Sequence, residues 1–167
     1  KPANNNSTEE ASLANSPDDF APTSGNTYCT LVFSITFKGE NDHCFLAYHY
    51  PYTYSELQRS IYQLQNTQRF RQNCRRTLLC RTLGGNDCIL LTITDFENNK
   101  VPMSDRKHVF LSARVHPGES NSSYMMKGAI DFLLSSSPEA QRLREVFVFK
   151  IVPMINPDGV ACGNYRC

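Results

Sequence analysis

The sequence predicts an α/β domain, a mixed sheet with helices packed on it, preceded by the remnant of a small antiparallel β unit. Three observations predict this. HVFLSARV, SSYMMKGAIDFLLSS and VFVFKIVPMI follow one another as strand, helix and strand, the order of a parallel sheet with a crossover connection. LLCRTL and DCILLTIT flank a GGN turn and read as a hairpin. Farther upstream, CTLVFSITF places Leu31, Phe33, Ile35 and Phe37 on one side at the period of a half-buried strand.

The elements follow in order. Residues 1–27, rich in Asn, Ser, Pro, Asp and Thr, bury too little apolar surface to offset their chain entropy and are expected to be a disordered segment or linker. Residues 28–52 then form two antiparallel strands, CTLVFSITF and HCFLAYHYPYTY, around the turn GEND, with Pro51 ending the pairing. Residues 53–167 hold the α/β part. It starts with the helix SELQRSIYQLQN, where Ser55 is a plausible cap and Leu57, Ile61 and Leu64 keep helical spacing. The basic stretch RFRQNCRR reads as a solvated loop. After the hairpin, the nearly continuous apolar run HVFLSARV predicts a strand buried on both faces. The next helix carries Met125, Gly128, Ala129, Phe132 and Leu133 on its apolar stripe. Ser137 and Pro138 open another helix through EAQRLRE, and NPDG marks a turn after VFVFKIVPMI.

Composition narrows the function. A formal net charge of +1 gives no bulk attraction to nucleic acid, and no apolar stretch is long enough to span a membrane. KPANNNSTEEAS has no apolar core, so a secretory signal is not expected. The seven cysteines are odd in number and form no CxxC pair, as scattered buried thiols of a reducing compartment would. The cytosol is therefore the expected location, and the NST and NSS sequons at Asn6 and Asn121 are chance matches.

Ligands of open α/β sheets collect beyond the carboxyl ends of the strands. HPGE and NPDG both fall there. His116 offers an imidazole and Glu119 a carboxylate, ligand types that zinc accepts at about 2.0–2.2 Å. Pro117 makes a helix through His116 unfavourable, and Gly118 lets the loop fold back sharply. The alternative remains open: His116 bonds a core carbonyl and Glu119 caps the next helix. His43, His49 and His108 are poor third ligands, being placed on other strands or at the far end of this one.

HVFLSARVHPGESNSSYMMKGAIDFL and FKIVPMINPDGVACGNYRC together strongly resemble the cytosolic carboxypeptidases, members of the zinc metallocarboxypeptidase superfamily known as tubulin-processing deglutamylases. FLAYHYPYTYSEL and RTLGGNDCILLTIT are similar too, so the likeness runs from Tyr28 to the end. The resemblance implies that His116 and Glu119 are two zinc ligands, that Arg166 polarises the scissile carbonyl, and that Asn156 to Gly159 form an architectural turn near the site. It implies Zn2+ as cofactor, polyglutamylated or acidic C-terminal tails such as tubulin's as partners, and a cytosolic, microtubule-associated setting. Residues 28–52 would belong to the family's N-terminal β-sandwich. The family's third ligand (a histidine), its general base and its carboxylate clamp find no match up to Cys167, so a fragment or shortened product, inactive by itself, is expected. A noncatalytic binding product, or an amidohydrolase of small amino-acid conjugates, are the alternatives.

Overall fold

The structure, a computed structural model, describes residues 30–41, 43–97 and 100–166. The expected linker 1–27 lies outside them. Two compact units divide the chain, Lys1–Phe45 and Leu46–Cys167. In the first unit the described residues form no helix or strand and bend at Gly39–Asn41. The two strands expected across 28–52 therefore do not form within the described residues. Leu31, Phe33, Ile35 and Phe37 are all exposed, and an alternating run without a layer to cover its apolar side gains little from pairing.

The second unit begins with α1, Tyr54–Gln65. Thr53 caps it, not Ser55: Thr53 Oγ1 accepts from Glu56 N at 3.1 Å while Glu56 Oε2 accepts from Thr53 N at 2.5 Å. Leu57, Ile61 and Leu64 are buried as their spacing predicts. The basic stretch is a helix running into a strand where a loop was expected: α2, Gln68–Asn73, is capped by Thr67 and anchored by buried Phe70, with Arg69 and Arg71 left in solvent. The hairpin forms from β1, Cys74–Arg81, and β2, Asp87–Ile93, pairing Cys74 with Ile93 through to Arg81 with Asp87.

Two further strands, β3 (Lys107–Ser112) and β4 (Phe147–Val152), complete a sheet of order β1-β2-β4-β3, antiparallel except for the parallel β3–β4 pair. Helices α3, Asn121–Leu133, and α4, Pro138–Val146, make the crossover between them. Among the described residues β3 is an edge strand with Phe110 64% exposed, so it is not buried on both faces. The apolar side of α3 also differs from expectation. Met126, Ile130 and Leu133 are buried beside Ser123, whereas Met125 is 76% exposed. Two adjacent apolar stripes share the helical period, and the core that α3 shares with α1 and the sheet takes the one that includes Met126, Ile130 and Leu133. Ser137 caps α4 with Pro138 at its first position, as predicted. NPDG proves to be a helix start: Asn156 Oδ1 accepts from Gly159 N at 2.9 Å and opens α5, Pro157–Cys162.

The core lies between sheet and helices, where Leu91, Ile93, Ile151 and Val152 are fully buried. Among the described residues the buried thiols are Cys74 and Cys88; Cys44, Cys80 and Cys162 are exposed, and these five are free. Exposed positions on the β1 face, on α5 and ahead of α1 account for the difference.

Candidate functional site

Parallel pairing sets the site. Ser112 and Val152 are register partners, so β3 and β4 end level and release their loops at one edge. The two loops are stitched together there. Ala113 N donates to Val152 O at 3.1 Å, Ile155 N to Ala113 O at 2.9 Å and Asn156 N to Arg114 O at 3.3 Å. The Asn156 side chain adds a bond from Nδ2 to Val115 O at 3.3 Å. A Cβ on Gly159 would run into the Pro117 ring, so the NPDG glycine is required for the two loops to touch. HPGE and NPDG thus share one edge, and the latter buttresses the former.

The HPGE loop is a built structure. Glu119 N donates to His116 O at 3.2 Å, closing a tight turn across the two candidate ligands. Ser122 Oγ accepts from Arg114 N at 3.2 Å and donates to Glu119 O at 2.8 Å. Gly118 N donates to Tyr165 O at 2.8 Å, and a Cβ on Gly118 would collide with the Tyr165 ring and lie 3.0 Å from its Cα. The fold-back expected at Gly118 is this His116–Glu119 turn, but the left-handed backbone lies at Arg114, with φ 58°, so Gly118 is needed for the space it leaves and not for its backbone freedom. Arg114 is 5% exposed, and its guanidinium bonds Pro117 O at 2.9 Å, Tyr52 O at 3.0 Å and Ser123 Oγ at 2.9 Å. Burial lowers its pKa from the ordinary arginine value.

The sequence-predicted residues His116, Glu119 and Arg166 come together here. Nδ1 of His116 is buried and has no hydrogen-bond partner, which runs against the reading in which it bonds a core carbonyl. A buried imidazole nitrogen without a proton partner is a suitable donor to a cation. Glu119 stays partly open, its Oε1 3.6 Å from Arg166 Nη2. Tyr165, next to Arg166, meets Tyr48 edge-on with ring centroids 5.7 Å apart, and Tyr48 raises the Tyr165 pKa above the ordinary phenol value. His49 stacks edge-on against Tyr48 and His108 sits on β3, so neither joins the pair. No group of three His, Cys, Asp or Glu side chains able to hold a metal occurs among the described residues. The two side chains fit zinc as part of its ligand set, one nitrogen and one carboxylate from a single rigid loop.

Sequence reasoning missed the residues that hold this loop. Arg114 reads as an ordinary charged residue leaving a strand, and nothing in its neighbours signals a left-handed backbone. Ser120, whose Oγ donates to Tyr50 O at 2.6 Å, carried no signal either. Tyr165 could have been suspected only from its place beside Arg166.

Comparison with known proteins identifies the family. The zinc carboxypeptidase family model matches residues 60–167. The chain is 48% identical over 149 residues to cytosolic carboxypeptidase 1 of Gallus gallus, a match covering 86% of this chain and 12% of that protein. It is 52% identical over 140 residues to cytosolic carboxypeptidase 2 of Homo sapiens, covering 84% of this chain and 15% of that one. A metallo-carboxypeptidase from Burkholderia cenocepacia superimposes with a TM-score of 0.60 at 30% identity, over 70% of this chain and 30% of that structure. The carboxypeptidase A of Helicoverpa armigera, at 18% identity and a TM-score of 0.55 over 66% of this chain and 25% of its own, shares the fold. With the family model matched over residues 60–167, a stretch that includes the HPGE loop and the unpartnered Nδ1 of His116, this chain belongs to the zinc carboxypeptidases.

Proposed function

We propose that this chain carries part of the active site of a zinc-dependent carboxypeptidase that releases glutamate from protein C-termini or polyglutamate side chains. The chain spans 12–15% of the length of the two cytosolic carboxypeptidases compared above. The observation that carries the reading is the buried, unpartnered Nδ1 of His116 on the loop shared with Glu119. His116 and Glu119 would hold the ion. Bound zinc polarises a carbonyl and brings the pKa of a water to about 7. Arg166, exposed at the rim of the loop, would meet the negative charge that develops on the scissile carbonyl oxygen; removing one such donor costs about 10²–10³ in rate. Glu119 Oε1 lies 3.6 Å from that guanidinium.

The names of the relatives support a cytosolic setting, and acidic tails such as tubulin's are the proposed substrates. Residues 1–167 alone would be inactive, since two ligands hold zinc weakly. The second reading is a noncatalytic product that acts as a binding module.

Glutamate release from a polyglutamylated peptide by the full-length protein, before and after chelation and zinc restoration, decides between them. Loss with chelator and recovery with zinc is expected. Release that ignores the chelator would sink the mechanism, and no release under any condition would leave the binding module.

A further inference from the structure

Three consecutive carbonyls ahead of α1 are each taken by a side chain of the HPGE loop or of α3. Tyr50 O accepts from Ser120 Oγ at 2.6 Å, Pro51 O from the Tyr124 hydroxyl at 2.7 Å and Tyr52 O from Arg114 Nη1 at 3.0 Å. Paired strands exchange N–H and C=O bonds in both directions, whereas all three bonds here run one way and Pro51 has no N–H to return. The segment is therefore a row of acceptors laid against the loop. Its aromatic side chains lie on the same helix: the Tyr50 and Tyr52 rings both meet Tyr124, with centroids 6.1 and 5.1 Å away.

Arg114 joins this row to the ligands. Its Nη1 bonds Tyr52 O and Ser123 Oγ, while its Nε bonds the carbonyl of Pro117, the residue after His116 and two before Glu119. Its backbone, at φ 58°, has a conformation that side-chain-bearing residues rarely adopt, and it is held there by what the guanidinium grips. All three partners of the guanidinium are neutral oxygens at fixed positions, so the grip sets geometry and does not neutralise charge.

We propose that Arg114 is the positioning residue of the metal site: it ties the Pro117 carbonyl to the Tyr50–Tyr52 segment and so fixes the spread of His116 and Glu119. This rests on the zinc reading given above. Outer partners of this kind typically change metal affinity by about 10–100-fold when removed.

The test is zinc affinity of the full-length protein by chelator competition, alongside thermal unfolding of the zinc-free form. Arg114→Asn keeps a residue that tolerates the left-handed backbone but deletes the guanidinium. It is expected to weaken zinc by about 10–100-fold, with Arg114→Lys recovering part of the loss. Arg114→Asn with zinc affinity within twofold of wild type would overturn the proposal and leave Arg114 a purely structural residue. Should Arg114→Asn not fold, Ser123→Ala removes one anchor of the same guanidinium, and unchanged zinc affinity in that variant overturns it equally. Wild-type protein that binds no zinc would instead remove the reading on which the proposal rests.

Discussion

Gly118 leaves just enough room for Tyr165. A methyl there enters the Tyr165 ring, which cannot retreat freely because its own backbone carbonyl is bound by Gly118 N at 2.8 Å. Gly118→Ala is expected to destabilise the fold by about 1–3 kcal/mol, as overpacking does, and to lower kcat/KM by displacing Arg166 next door. Calorimetry and peptide kinetics on one preparation check this; a variant with unchanged unfolding would show that the loop yields. Thiol chemistry offers another check at this scale. Burial pushes Cys74 up to about 12, so at neutral pH it stays protonated. A thiol reagent should label Cys80 and Cys162 in the native protein and reach Cys74 only on unfolding; rapid native labelling of Cys74 would contradict its burial. His116 and Glu119 stood out as candidates because proline and glycine around two ligand types follow a strand. Arg114 was not, since its effect depends on carbonyls at Tyr52 and Pro117 that are brought together only in the folded chain.

At the level of elements, the tip of the β1–β2 hairpin is fastened to α5. The Asp158 carboxylate accepts from Thr82 Oγ1 at 2.6 Å, Asn86 Nδ2 at 2.7 Å and Gly84 N at 2.8 Å. These bonds, that of Asn86 foremost, hold its pKa below the ordinary carboxylate value. A depressed folded pKa contributes stability that is present above the unfolded value of about 3.9 and lost as pH falls through the lower folded value. Wild type should therefore lose urea resistance more steeply than Asp158→Asn as pH drops below about 5. Equal slopes for the two would assign the acid sensitivity to other carboxylates. Element type was readable wherever periodicity and caps agreed, as in α1, α4 and the hairpin. Which face of α3 is buried, and that β3 is an edge, depended on neighbours the local pattern does not encode. NPDG reads equally as a turn or as a cap and a first-turn proline, and only the backbone after Gly159 decides.

For the molecule as a whole, the outer edge of β3 carries no strand among the described residues, and Phe110, Met125 and Phe132 are exposed. An open strand edge with exposed apolar side chains invites pairing with another chain. A polypeptide of these 167 residues alone is expected to self-associate at micromolar concentration, and Phe110→Lys to reduce that association. Sedimentation measures both; a monomeric wild-type polypeptide would refute the expectation.

The bond from Gly118 N to Tyr165 O joins positions 47 residues apart. On a ribosome, the turn bearing His116 and Glu119 would leave the exit tunnel well before the residue that braces it. The loop cannot reach its final shape until residue 165 has emerged, so the turn that bears the two candidate ligands waits unbraced while the intervening helices and β4 are being made.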